Sequence, residues 1–102
     1  MIDLEKREEV IALYDVYSEL LTDKQKMYFE EYYYCDMTLQ EIATEHNISR
    51  NAVFDQIKKT INICEKYENS LHNLQNQKLL NQALICDNLN EIKKIIKNII
   101  KE

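Results

Sequence analysis

No glycine and no proline occurs among the 102 residues, and this double absence constrains the fold more than any motif does. Tight hairpins need positive φ, which glycine supplies at no steric cost, and proline pre-sets many other turns. Here asparagine and aspartate must make every sharp reversal, which suits helices joined by short polar corners. The expected fold class is all-α, a helix-turn-helix bundle with a helical C-terminal extension. A chain of this length suits one core.

Apolar residues recur at spacings of three and four throughout. Leu4, Val10, Ile11, Leu13, Tyr14, Tyr17, Leu20 and Leu21 predict an amphipathic helix from Asp3 to Leu21. Thr22 is placed to cap a second helix over "DKQKMYFEEYYYC", with Met27, Tyr28, Tyr32 and Cys35 facing inward. Tyr32, Tyr33 and Tyr34 cannot all be buried on one helix, so at least one is expected to reach water with its hydroxyl. Base stacking is open to such a cluster, but core and rim packing is the preferred reading.

Thr38 and Glu41 have the spacing of a capping box, which predicts a third helix from Leu39 to His46. Asn47 is the expected turn residue, since asparagine tolerates the left-handed conformation well. Ser49 then caps a fourth helix. On a wheel of 100° per residue, Val53, Ile57, Thr60, Ile61 and Cys64 gather on one side. Asn51, Asp55, Lys58 and Asn62 gather on the other, with Lys59 at their flank.

Beyond Tyr67 the helical rhythm continues through Leu71, Leu74, Leu79, Leu80, Leu84 and Ile85, so helix four either runs on or pauses near Asn69 and restarts. A last helix follows, with Asn88 and Glu91 as a cap pair and Leu89, Ile92, Ile95, Ile96, Ile99 and Ile100 as one apolar stripe. The stripe requires the preceding helix, a second subunit or a membrane surface as its partner. The leucines of residues 71–84 make protein docking the preferred choice. The expected division is a helix-turn-helix domain over 1–68 and a packing or dimerisation extension over 69–102.

Charge and cysteine usage narrow the function. Residues 1–36 hold ten acids and four bases, net −6, whereas residues 37–102 hold eight acids and nine bases, net +1. Only the second part meets a polyanion comfortably. Cys35, Cys64 and Cys86 are odd in number and widely separated, which fits neither a disulfide framework nor a metal site with close ligand pairs. They read as cytosolic thiols. The first twenty residues lack a signal-peptide core and nowhere do eighteen apolar residues run together, so a cytoplasmic protein without membrane insertion is expected. Two histidines at unrelated spacing and no glycine loop for phosphates argue against an enzyme, and no cofactor is expected.

A helix-turn-helix needs a small residue where its helices cross, an apolar residue in the turn and another about five positions later. Ala43, Ile48 and Val53 fill those places, and Ile42 precedes Ala43. His46 stands where an apolar residue usually closes the corner, and reads as a packed substitute for an aromatic side chain. The segments "LLTDKQKMYFEEYYYCDMTLQEIA", "EHNISRNAVFDQIKKT" and "EKYENSL" resemble the YlxM-like family of small bacterial proteins over roughly residues 10–75. That family resembles region four of the sigma factors, and its genes usually neighbour those of the signal recognition particle protein and its receptor. The resemblance implies a regulatory or accessory protein of that secretion pathway. Carried over by position, it implies a nucleic-acid-facing segment at Ser49, Arg50, Asn51, Asp55, Lys58 and Lys59.

The target expected is DNA or the structured RNA of the particle, with particle proteins and a second copy of the chain as further partners. Residues 50–66 hold four bases and two acids, net +2, less than a strong duplex binder presents, so binding should be weak or partner-assisted. The alternative is a protein-interaction module in which the corner is only a scaffold.

Overall fold

The computed structural model describes residues 6–100, and among them the chain forms six α-helices: α1 Arg7–Tyr17, α2 Asp23–Tyr33, α3 Leu39–His46, α4 Arg50–Leu71, α5 Asn73–Ile85 and α6 Leu89–Ile100. Val10, Leu13, Tyr14 and Tyr17 form the inner stripe of α1, the i, i+3, i+4, i+7 pattern of one helix face. The expected start of this helix, with Leu4, lies outside the described residues. Its end comes earlier than expected. A 3₁₀ turn over Ser18–Leu20 replaces the last helical turn, leaving Leu20 exposed and Leu21 buried in extended conformation. That tightening delivers Thr22 to α2 as its cap.

Thr22 and Gln25 form a full capping box, each side chain bonding the other residue's backbone N–H at 3.2 and 2.9 Å. The inner face of α2 is Tyr28, Phe29 and Tyr33. This corrects the expected inward set: Met27 and Cys35 are exposed and Tyr32 is only half-buried. The phase is set by α1, because the Tyr14 ring stacks on Phe29 with centroids 4.0 Å apart. Phe29 must therefore point inward, and Tyr33, one turn on, follows it. Tyr34 turns outward and donates its hydroxyl to Asp15 at 2.7 Å.

Helix α4 is the spine against which α1, α2 and α3 all pack. Its Val53, Ile57, Thr60 and Cys64 are buried, and Ile61 lies half-buried at the edge of that stripe. Burial of side chains such as Ile42, Val53 and Ile57 contributes about 1.5–3 kcal/mol each. The Thr60 hydroxyl donates to the Gln56 carbonyl, so its burial leaves no polar group unpaired. Burial pushes the Cys64 thiol up to about 11.

The break after α4 falls at His72, not near Asn69. His72 takes left-handed φ and ψ of 54° and 28°, and α5 starts at once. Asn88 caps α6 through Oδ1, which accepts from the N–H groups of Asn90 and Glu91. Helices α5 and α6 pack together as a hairpin. The α6 stripe divides there: Ile92, Ile95 and Ile99 are half-buried, while Leu89, Ile96 and Ile100 stay exposed. The molecule measures 57 × 23 × 21 Å with a radius of gyration of 17.2 Å, against roughly 13 Å for a compact domain of about 100 residues. No helix of the described residues is long and apolar enough to cross a membrane.

Candidate nucleic-acid interface

The corner between α3 and α4 is built from local signals. Thr38 Oγ1 accepts from the Glu41 N–H and Glu41 Oε1 from the Thr38 N–H, both at 3.1 Å, so α3 begins with a closed capping box. Its far end reverses at Asn47, with φ 56° and ψ 45°, and the Ile48 N–H reaches back to the Ala43 carbonyl at 3.0 Å. This six-to-one bond is the Schellman closure, made here without glycine. Ser49 Oγ then accepts from the Ala52 N–H at 3.0 Å and starts α4. Ala43 and Val53, both buried, occupy the crossing, with Ile42 beside them. Ile48 packs against the core from the turn.

His46 is half-buried, its ring edge-on to Tyr28 at 5.2 Å and its Nε2 2.6 Å from Glu31. An aromatic contact and a hydrogen-bond contact with a carboxylate thus close the corner where an apolar residue usually does. Glu45 brings a third candidate metal-ligand atom to this group, all within 4.8 Å of one another, but the imidazole and Glu31 already satisfy each other.

All six residues expected to face nucleic acid are exposed. Ser49, Arg50 and Asn51 occupy the cap and first turn of α4, where the first backbone N–H groups carry the positive end of the helix dipole. Asp55 follows one turn later, and Lys58 and Lys59 the next. Arg50 and Lys58 are separated by a rise of about 12 Å along the axis, comparable to the width of the major groove, about 12 Å. Among the described residues Arg50 forms no ion pair with Glu45 or any other acid.

Two residues of a cleft beside this segment escaped the sequence reading. Arg7 on α1 donates to the Tyr33 carbonyl and to the Asp36 carboxylate, the latter at 3.1 Å, and lies over the Tyr33 ring at 5.3 Å. Phe54, half-buried, stands between the core face and the polar face of α4. Both line a cleft that also reaches Arg50 and Asn51. Nothing adjacent to Arg7 in the chain reports this position, because the α2–α3 connection brings Asp36 to it. Phe54 carries a signal, as a phenylalanine beside Val53 does not belong on a purely polar face.

A short helix crossing a longer one through a left-handed corner, with the polar side of the second helix exposed from its first turn, defines a helix-turn-helix protein with a helical C-terminal extension. The chain belongs to the UPF0122 family, described as "Putative helix-turn-helix protein, YlxM / p13 like", whose sequence model matches residues 4–102. It is 47% identical over 83 residues to a UPF0122 protein of Lactococcus lactis subsp. cremoris, covering 81% of this chain and 75% of that one. A UPF0122 protein of Mycoplasma capricolum is 51% identical over 77 residues, 76% of this chain and 68% of the relative. One from Pediococcus pentosaceus is 46% identical over 80 residues, with 78% and 71% covered.

Proposed function

We propose that this chain binds nucleic acid through the start of α4, as a non-enzymatic regulatory or accessory protein of the signal recognition particle pathway in the cytoplasm. The observation that carries the reading is the division of α4. Its Val53, Ile57, Thr60 and Cys64 side is locked into the core, while Arg50, Asn51, Asp55, Lys58 and Lys59 stand clear of it. Arg50 and Asn51 are placed for base edges or phosphate, Asp55 for a base amino group, and the lysines for phosphate. The pathway is inferred from the family resemblance alone.

The target is duplex DNA or the structured RNA of the particle, and a titration of both over a range of salt tests the reading. Salt-sensitive binding to either supports it; none to both overturns it. The modest charge of the segment predicts a shallow salt slope.

A second role is assigned to residues 69–102, with the helix-turn-helix unit occupying 1–68. Leu84 and Ile85 are more than four-fifths exposed at the end of α5, and Leu89 and Ile100 remain largely exposed on α6. Exposed apolar side chains at both ends of the α5–α6 hairpin favour a homodimer, or a particle protein, as its cover.

A further inference from the structure

We infer that the cleft between the α2–α3 connection and the first turns of α4 holds one unpaired nucleotide of the bound nucleic acid, an inference that rests on the nucleic-acid reading above. The cleft, open to solvent on one side, has a volume of about 700 Å³, inside the range of about 300–1,000 Å³ typical of small-molecule sites. Tyr32, Met37, Leu39 and Phe54 supply its apolar wall, and all four are half-buried. Arg7 and Arg50 stand at the rim. The one acid among the lining residues, Asp36, is paired with Arg7, so the lining keeps a net positive charge.

This combination does not match what a continuous duplex presents. Paired bases offer only their edges in a groove, and reading them takes polar side chains on a convex helix. A concave apolar recess offers nothing to an edge. It fits the face of a base that has left the stack, which proteins hold against aromatic and apolar side chains while cations hold its phosphate. The amides of Gln40 and Asn51 lie at the same cleft and supply the donors and acceptors that a base edge requires. The walls of the recess are tied to one another by the protein's own contacts. Arg7 fastens the α2–α3 connection from α1 by bonding the Tyr33 carbonyl and Asp36, and the capping box fixes Thr38, which also lines the cleft.

The test uses the whole chain and three hairpins of one stem sequence, made in RNA and in DNA: fully paired, with a single-nucleotide bulge, and with that bulge made abasic. Fluorescence anisotropy should show the base-bearing bulge bound about five-fold or more tightly than the other two, the gain expected of one base–aromatic stack. Phe54→Ala should bring the bulged hairpin to the level of the paired one and leave the paired one unchanged. Because Phe54 is half-buried, Phe54→Leu serves as a second variant that keeps apolar volume but removes the aromatic face; it should lose most of the same preference. A 2-aminopurine base at the bulge should be quenched on binding the parent and not on binding either variant. Equal, salt-sensitive binding of all three hairpins, or an abasic bulge bound as well as the base, overturns the pocket and leaves the α4 interface standing. No salt-sensitive binding of any hairpin overturns both.

Discussion

The Tyr17 hydroxyl on α1 donates to the Glu68 carboxylate on α4 at 2.6 Å, and this bond organises the start of α5. The same carboxylate accepts from the N–H groups of Leu74 and Gln75 at 3.0 and 3.1 Å. Glu68 thus caps α5 from the preceding helix, a task His72 does not perform with its own side chain. The Tyr17 oxygen in turn accepts from the Asn73 N–H at 3.3 Å. The bend between α4 and α5 is therefore held by tertiary contacts.

Removing that carboxylate should loosen the hairpin. Glu68→Ala strands three donors and is expected to cost roughly 1–3 kcal/mol, read as a lower urea midpoint; an unchanged midpoint would show that water replaces the cap without loss. The pH dependence follows from the same contacts. Burial opposes the Glu68 charge, but the Tyr17 hydroxyl and the two N–H groups together hold its pKa below the usual carboxylate value. Its contribution is present above the unfolded value of about 4.3 and is lost as pH falls through the lower, folded value. Burial, reinforced by Glu68, pushes the Tyr17 hydroxyl up to about 12, so its own contribution persists until pH rises above about 10. Glu68→Gln should flatten the acid limb of a stability profile measured from pH 3 to pH 7.

Val53 is fully buried at the crossing of α3 and α4. Val53→Asp places an unpaired charge there and should cost several kcal/mol, enough to unfold the corner. Loss of helical circular dichroism at lower temperature is the expected result. An unaltered melting curve would mean that the two helices do not cross there.

The corner was legible because its signals are local. Thr38 with Glu41, Asn47 and Ser49 each act within four residues, and the α4 stripe of Val53, Ile57, Thr60 and Cys64 follows from helical geometry alone. What escaped was decided by distant partners. Three consecutive tyrosines fit two phases of α2, and only Tyr14 against Phe29 chooses between them. Whether helix four runs on or pauses near Asn69 stayed open in the sequence, because the break at His72 is held by Glu68 and Tyr17, which satisfy the first N–H groups of the next helix. Arg7 joined the cleft through the fold of α1 onto the end of α2, a contact that no spacing within the N-terminal segment encodes.

The exposed apolar residues of the α5–α6 hairpin should be covered in solution by a second copy. Sedimentation at tens of micromolar should give a dimer, and Leu84→Lys with Ile85→Lys should give a monomer of unchanged helicity. A parent that sediments as a monomer at that concentration rules out the homodimer and leaves a different protein as the cover.

If α4 meets nucleic acid as proposed, Arg50→Ala and Lys58→Ala should weaken binding by different routes and leave the fold intact, because both side chains lie away from the buried stripe. Lys58 stands two turns into the helix beside Lys59, a position suited to phosphate. Its loss should weaken all sequences alike and lower the salt slope by about one. Arg50 adjoins the Ser49 cap, where a recognition helix first reaches base edges, so its loss should cost about 1–3 kcal/mol and blur sequence preference. Isotherms for matched and scrambled targets at two salt concentrations separate these effects. A surface ion pair would be worth only about 0–1 kcal/mol to stability and nothing to binding, and among the described residues Arg50 has none to lose. Parent-like binding by both variants would assign the corner to scaffolding, and the α5–α6 hairpin would then be the working surface of the protein.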